Sequence, residues 1–319
     1  MNSSIIIPAF NAEKTIEKTI NSLLNQSIKP AEIIVVNDGS TDLTQKILEK
    51  IAVKNTTIKL FNRNNSGISA SRNFGAKKAL GETIVFLDSD VVVEKNWLEK
   101  MLALLKENVF CVSGKYSVEL NGSLSSDFFA FVVGSSSFQG YNIALNKKDF
   151  LEFNGFNEKM KYCEDPEFFL RAFFLKKQLV KSDAESFHRS YSLNERIKSN
   201  FNYSFFDAVL FKKNFSFLAN PFNLLKLSDN LKFIFGFYWI LFISVIFSIV
   251  SFIVSKDLIS FAFLFLPAFA GTTKILLNKN KIKYKNNFVF VLVYSFTALL
   301  LFSLVKFIGF FNGLIQGKI

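Results

Sequence analysis

Two aspartates one residue apart, Asp88 and Asp90, close the apolar run Thr83-Ile84-Val85-Phe86-Leu87. Such a run suits a strand buried on both faces. The two acids share a parity, so they point the same way if the extended geometry persists. Neighbouring anions repel, and a hard divalent cation carrying phosphate oxygens relieves that repulsion. An ordinary Asp-rich turn after a strand accounts for the same residues, so the surrounding chain has to decide. A further carboxylate, Asp38, lies in Asn37-Asp38-Gly39-Ser40-Thr41-Asp42 after another apolar run. It could accept a hydrogen bond from a base edge, close an Asx turn or cap the next helix. Arg63 and Arg72 suit bidentate contacts to oxygen and could neutralise phosphate or order the Asp88 loop.

Positioning these groups requires a sheet. Residues 4–7 read as a strand stopped by Pro8, and residues 13–26 as a helix with Ile16, Ile20, Leu23 and Leu24 on one face. Residues 32–36 form a second strand. The helix after it carries Leu43, Ile47, Leu48 and Ile51 on one side, with Ser40, Thr41 or Asp42 as its cap. Residues 58–61 make a third strand, and 68–80 a helix ended by Gly81. The Asp88 strand is the fourth. Alternating strands and helices with short links imply a parallel sheet covered by helices, with ligands beyond the carboxyl ends of the strands. That rule gathers Asn11, Asp38, Arg63, Asn65 and Asp88 along one rim. Further on, Trp97, Met101, Leu104 and Leu105 mark a helix, and residues 111–116 and 179–187 mark strands.

Four blocks in the first hundred residues resemble the family 2 glycosyltransferases. They are Ile5-Ile6-Ile7-Pro8-Ala9-Phe10-Asn11-Ala12-Glu13, Val36-Asn37-Asp38-Gly39-Ser40-Thr41-Asp42, Asn65-Ser66-Gly67 with Ala70-Ser71-Arg72-Asn73, and Leu87-Asp88-Ser89-Asp90. The resemblance implies a GT-A fold, a nucleotide-activated sugar donor and inversion of the anomeric centre. Pro8, Phe10, Asn11 and Glu13 would then belong to the nucleoside-binding loop, Asp38 would meet uracil or another base, and Arg72 would serve the nucleotide-sugar site. Asp88 would lie near the ribose, with Asp90 the direct ligand of Mn²⁺ or Mg²⁺.

The likeness continues through Gly140-Tyr141-Asn142-Ile143-Ala144-Leu145, Gly155-Phe156-Asn157-Glu158 and Cys163-Glu164-Asp165-Pro166. In the family, the Asp of such an acidic pair is the catalytic base, which here is Asp165, with Glu164 orienting its neighbours. The chemistry needs one carboxylate on the acceptor side to take the proton of the attacking hydroxyl. An acid there is also an ordinary helix cap, supported by Pro166 at the first helical position. His188 is the only histidine. Lone histidines are often structural, but its position resembles that of a late family histidine that meets the metal or the diphosphate. Residues 121–138, rich in Ser, Gly and Phe, read as an acceptor-side loop.

Composition separates the last third from the rest. Half of the 319 residues are hydrophobic, 41 are Phe, and the formal net charge is +12. Mean hydropathy is +0.27. Residues 201–232 mix aromatics with Lys, as amphipathic interface segments do. Three apolar runs follow, near 233–254, 258–277 and 288–311, each long enough to suggest a membrane span. Lys279, Lys281, Lys283 and Lys285 crowd the link between the second and third. The positive-inside rule makes that link and the preceding catalytic domain cytoplasmic. Cys111 and Cys163 lack metal-ligand spacing and fit reduced thiols. No signal peptide is expected at the start. Basic residues beside apolar runs favour membrane lipid, and no nucleic acid, as the anionic partner.

The expected protein is therefore an α/β GT-A domain, Rossmann-like, over 1–200, followed by the interface segment and C-terminal transmembrane helices in the inner membrane. Its expected activity is metal-dependent, inverting transfer from a nucleotide-sugar, UDP-sugar favoured, to a glycan or lipid-linked acceptor in cell-surface polysaccharide or glycolipid synthesis. The alternatives are a polyprenyl-phosphate glycosyltransferase and an inactive membrane-bound scaffold subunit.

Overall fold

The computed structural model describes residues 2–118, 140–188, 193–218, 221–227, 243–244, 308, 310, 312 and 314–316. Contacts divide the chain into two compact units, one of 1–119 with 134–189, the other of 120–133 with 190–319.

The first unit is built on an eight-stranded sheet, in the order β3-β2-β1-β4-β7-β6-β8-β5. The strands are β1 (Ser3–Ala9), β2 (Glu32–Asn37), β3 (Ile58–Asn62), β4 (Thr83–Leu87), β5 (Val91–Val93), β6 (Cys111–Val118), β7 (Asn142–Asn146) and β8 (Leu179–His188). The helices between them are α1 (Ile16–Leu24), α2 (Thr44–Lys54), α3 (Ile68–Lys78), α4 (Trp97–Leu104), α5 (Lys147–Glu152) and α6 (Glu164–Phe174). All of β1, β2 and β4 is buried, as their unbroken apolar runs require. Their side chains alternate between two cores. Ile5, Ile7, Ile33, Val35, Val85 and Leu87 face α1 and α4, against Ile16, Ile20, Leu23, Trp97 and Met101. The other face holds an aromatic cluster in which the ring of Phe86 lies 5.1 Å from Phe150 and 5.3 Å from Phe156, and Phe156 lies 4.9 Å from Phe168. Part of the unusual phenylalanine content is thus spent placing α5 and α6.

The parallel arrangement expected from the alternation holds for β3-β2-β1-β4 and recurs between β6 and β8. Beyond β4 the sheet is mixed, because β7 enters antiparallel between β4 and β6, and β5 pairs antiparallel with β8. Local hydrophobic periodicity carries no information about which distant strand supplies the next edge. Other local corrections have plain causes. Pro8 does not stop β1, since the β1–β4 ladder already ends at Ile6 and no N–H is needed beyond it on that side. Leu43 is exposed, sitting just outside the start of α2, where Asp42 Oδ1 accepts from the Thr44 N–H at 3.0 Å. Gly81 does not cap α3, which ends at Lys78 with Ala79 as its C-cap, and its N–H donates instead to Ser4 Oγ at 2.9 Å. α6 begins at Glu164 with Cys163 as its cap residue, so Pro166 falls at the third helical position and the acid is not the cap.

α3 packs tightly on the sheet because its buried face is small: Ser69, Ala70, Ser71, Gly75 and Ala76. A Cβ on Gly75 would lie 2.5 Å from Ile6 Cγ2, so the helix could not approach this closely with alanine there. That approach brings Arg72 and Asn73 under the rim.

In the second unit, α7 (Leu193–Lys213), α8 (Phe215–Leu218) and a 3-10 turn (Pro221–Lys226) follow one another. The Phe211 ring packs 5.8 Å from both Phe215 and Phe310. Among the described residues no helix is long and apolar enough to cross a membrane. The three apolar runs at 233–254, 258–277 and 288–311 lie almost wholly outside the described residues, and residues 121–138 lie wholly outside them.

Candidate active site

The residues expected in a nucleoside-binding loop lie at the carboxyl end of β1 and are tied to the β2–α2 link. Asn11, at a φ of 50°, accepts at Oδ1 from the Thr41 N–H at 2.9 Å, while its own N–H donates to Ser40 Oγ at 3.0 Å. Glu13 Oε2 accepts from the Leu43 N–H at 3.1 Å. Pro8 is buried in β1, whereas Phe10, just beyond the strand, is 49% exposed. Asp38 lies just beyond β2 and is buried. Its carboxylate accepts from the Ser66 and Gly67 N–H groups at 2.9 and 2.8 Å, which fixes the loop that leads into α3. Arg63 donates to the Ala70 carbonyl at 2.9 Å and sits 4.7 Å over the Phe74 ring, bracing α3.

Asp88 and Asp90 occupy a turn, because the extended geometry ends at Leu87. The two acids meet different partners. Asp88 Oδ1 pairs with Arg72 Nη2 at 2.7 Å, and Asp90 Oδ1 lies 3.2 Å from His188 Nε2. The turn is held by a Thr19 hydroxyl donating to the Ser89 carbonyl at 3.1 Å. His188 arrives there by register: it is the last residue of β8 and lies opposite Val91, the residue after Asp90. The histidine is buried against Tyr141 and Tyr116, with ring centroids 5.7 and 6.1 Å away.

Arg72 is 1% exposed and joins the two halves of the site. Its Nη1 meets Glu164 Oε1 at 2.7 Å while Nη2 holds Asp88, and the guanidinium lies 5.3 Å over the Phe156 ring. Burial works against its charge, but the two paired carboxylates outweigh that and raise its pKa. Burial likewise raises the pKa of Asp88, with the Asp90 and Glu164 charges adding to the shift and Arg72 opposing it. Asp165, the next residue of α6, is partly buried and accepts from the Gly140 N–H at 3.4 Å. Burial and the adjacent Glu164 charge push its carboxyl up to about 8, against the pull of Arg72 and the Gly140 N–H.

Several residues that the sequence blocks contained, without a role being assigned to them, hold the segments around α6 and β7. Asn73 Nδ2 donates to the Phe156 carbonyl at 2.8 Å and to Glu158 Oε1 at 2.9 Å, while its Oδ1 accepts from the Phe156 N–H at 2.9 Å. Arg171 donates to the Phe153 and Gly155 carbonyls at 2.9 and 2.6 Å. Trp97 Nε1 donates to buried Asn142 Oδ1 at 2.8 Å, and Asn142 Nδ2 donates to Ser186 Oγ at 2.8 Å, linking α4, β7 and β8. The Asn154-Gly155 dipeptide was the visible signal for the first of these, since both residues have positive φ, at 62° and 57°.

Comparison with known proteins agrees with this architecture. The chain is 31% identical over 169 residues to the GalNAc(5)-diNAcBac-PP-undecaprenol beta-1,3-glucosyltransferase of Campylobacter jejuni, covering 49% of this chain and 55% of that one. It is 43% identical over 96 residues to the cholesterol galactosyltransferase of Borreliella burgdorferi, covering 30% and 27% of the two chains. An uncharacterized glycosyltransferase of Haemophilus influenzae is 43% identical over 106 residues, 33% of this chain and 42% of that protein. The chain thus spans less than two thirds of each relative. Among solved structures, GalNAc-T7 with UDP, GalNAc and Mn²⁺ superposes with a TM-score of 0.51 at 18% identity, over 64% of this chain and 47% of that one. S. aureus TarS gives 0.50 at 22% identity, over 82% and 54%. At these identities the likeness is one of fold. The family model for glycosyl transferase family 2 matches residues 4–171, more than half of the 319-residue chain, and this protein belongs to that family.

Proposed function

We propose that the first unit transfers a sugar from a nucleotide-sugar, a UDP-sugar by preference, to a hydroxyl of a glycan or lipid-linked acceptor, inverting the anomeric carbon. The observation that carries this is the sharing of one guanidinium by Asp88 and Glu164, each at 2.7 Å. It brings a donor-side acid turn and an acceptor-side acid helix to one rim.

Each group has a part. The exposed ring of Phe10 and the Pro8–Asn11 loop flank the base, and Asp38 fixes the loop beside it. Asp90 and His188 offer one carboxylate oxygen and one imidazole nitrogen, adjacent at 3.2 Å. That set suits Mn²⁺ or Mg²⁺, which take few protein ligands and fill the remainder with phosphate oxygens and water. Among the described residues no group of three or more His, Cys, Asp or Glu could hold a metal ion. An ion held there supplies several kcal/mol of stabilisation for the charge that develops on the departing diphosphate. Asp165 accepts the proton of the attacking hydroxyl, and a pKa near 8 makes it a better base than an ordinary carboxylate. One displacement, with base and leaving group on opposite sides of the sugar, inverts the centre. A polyprenyl-phosphate nucleophile is already ionised and needs no base, so the placement of Asp165 favours a hydroxyl acceptor.

A lipid-linked acceptor and an inner-membrane, multi-pass location with a cytoplasmic first unit belong to the same proposal. The undecaprenol-PP in the name of the Campylobacter relative and the apolar, Lys-flanked C-terminal third support them. The test is turnover of UDP-, GDP- and TDP-sugars by detergent-solubilised full-length protein with Mn²⁺ and a lipid-extract acceptor. Mn²⁺-dependent turnover, abolished by EDTA and by Asp90→Asn, is expected. No turnover of any donor would refute the proposal.

A further inference from the structure

We infer that Arg72 and Glu164 act as positioning residues that divide one buried positive charge between the two halves of the site, so that Asp165 is left as the acceptor-side carboxylate without an ion-pair partner among the described residues. The inference rests on the proposed transfer reaction.

The geometry is specific. Arg72 spends Nη2 on Asp88, at the end of β4, and Nη1 on Glu164, at the start of α6, and those acids are 76 residues apart in the chain. The guanidinium is wedged between the Phe156 ring, 5.3 Å away, and Gly140, where a Cβ would lie 3.1 Å from Arg72 Nη1 and 3.1 Å from Asp165 Cβ. The absence of a side chain at Gly140 is what lets the guanidinium and the start of α6 come this close together. The next residue, Asn73, fixes both backbone groups of Phe156, so consecutive positions of α3 lock the charge and the loop ahead of the catalytic helix. The charged groups acting on Asp165 are Glu164 on its own helix and Arg72 on α3, with Asp88 beyond that arginine, and the Gly140 N–H is its hydrogen-bond donor.

Such a division predicts opposite responses to two substitutions. Glu164→Gln keeps an acceptor for Arg72 Nη1 and removes an anion beside Asp165, so the proton on Asp165 is held less tightly. Arg72→Gln removes the cation that acts on Asp165 among the described residues, so the proton is held more tightly. The experiment is the pH profile of kcat/KM in full-length protein, with the donor Kd measured alongside by calorimetry in Mn²⁺. Glu164→Gln should move the rising limb down by about one pH unit and Arg72→Gln should move it up by a similar amount. The donor Kd should hold within about threefold for Glu164→Gln while kcat falls. A merely structural role would lower activity without displacing the limb. An unmoved limb in Glu164→Gln, or shifts of the same sign in both variants, overturns the inference. If Arg72→Gln does not fold, Glu164→Gln decides alone. A wild-type enzyme that turns over no donor refutes the transfer reaction itself, a different outcome from an active enzyme whose limb stays put.

Discussion

Replacing Gly155 with alanine strikes the joint that carries the acceptor side. At a φ of 57° an alanine sits in the left-handed region, which costs about 1–2 kcal/mol. The new Cβ would also lie 2.5 Å from Asn73 Oδ1 and 3.1 Å from Phe150 Cζ. Phe150 sits in the aromatic cluster with Phe86, Phe156 and Phe168 and has little freedom, so Asn73 must give way. Asn73 then loses alignment with the Phe156 N–H and carbonyl, two buried hydrogen bonds each worth about 1 kcal/mol. The total is about 3–4 kcal/mol. With a urea dependence of about 2 kcal/mol per M, the unfolding midpoint falls by about 1.5–2 M. Trp97 is fully buried in this unit and reports its unfolding once the other tryptophan is removed as Trp239→Phe. Adding Asn73→Ala should make the Gly155 substitution cheaper by about 1–2 kcal/mol, because the clashing oxygen is gone. A loss below about 0.5 kcal/mol for Gly155→Ala, or strict additivity with Asn73→Ala, would refute the reasoning.

Two further predictions are independent of that joint. Burial and the Glu164 charge push the Asp165 carboxyl up to about 8, and the proposed base must be ionised to act, so kcat/KM in the free enzyme should rise with pH through about that value; a limb near the ordinary value of 3.8 would contradict the burial argument. Asn142→Ala strands the Trp97 indole N–H and should destabilise the unit by about 1–3 kcal/mol, seen as an earlier loss of the Trp97 fluorescence signal in urea.

The strand tips were legible from sequence because hydrophobic runs end where carboxylates begin. Thr83–Leu87 before Asp88, and Glu32–Asn37 before Asp38, are where those runs placed them. The acidic pair that opens α6 was marked instead by the family resemblance, and the histidine closing β8 by its place after an apparent strand. What each side chain meets was not. Nothing near Asp88 in the chain indicates that it turns to Arg72 while Asp90 turns to His188; that depends on the β5–β8 register, a pairing across about a hundred residues. Asn73 is opaque for a similar reason, since the backbone it holds lies 83 residues away. The antiparallel entry of β7 changes the sheet without leaving any mark on the periodicity of β4.

The central claim is that Asp165 takes the acceptor proton opposite a donor held by Asp90 and His188. Single-turnover transfer by Asp165→Asn, with donor affinity measured on the same preparation, tests it most directly. The account predicts a fall in the transfer rate of about 10²–10⁴-fold with the donor Kd nearly unchanged. Transfer by the Asp165→Asn enzyme at close to the wild-type rate would contradict it.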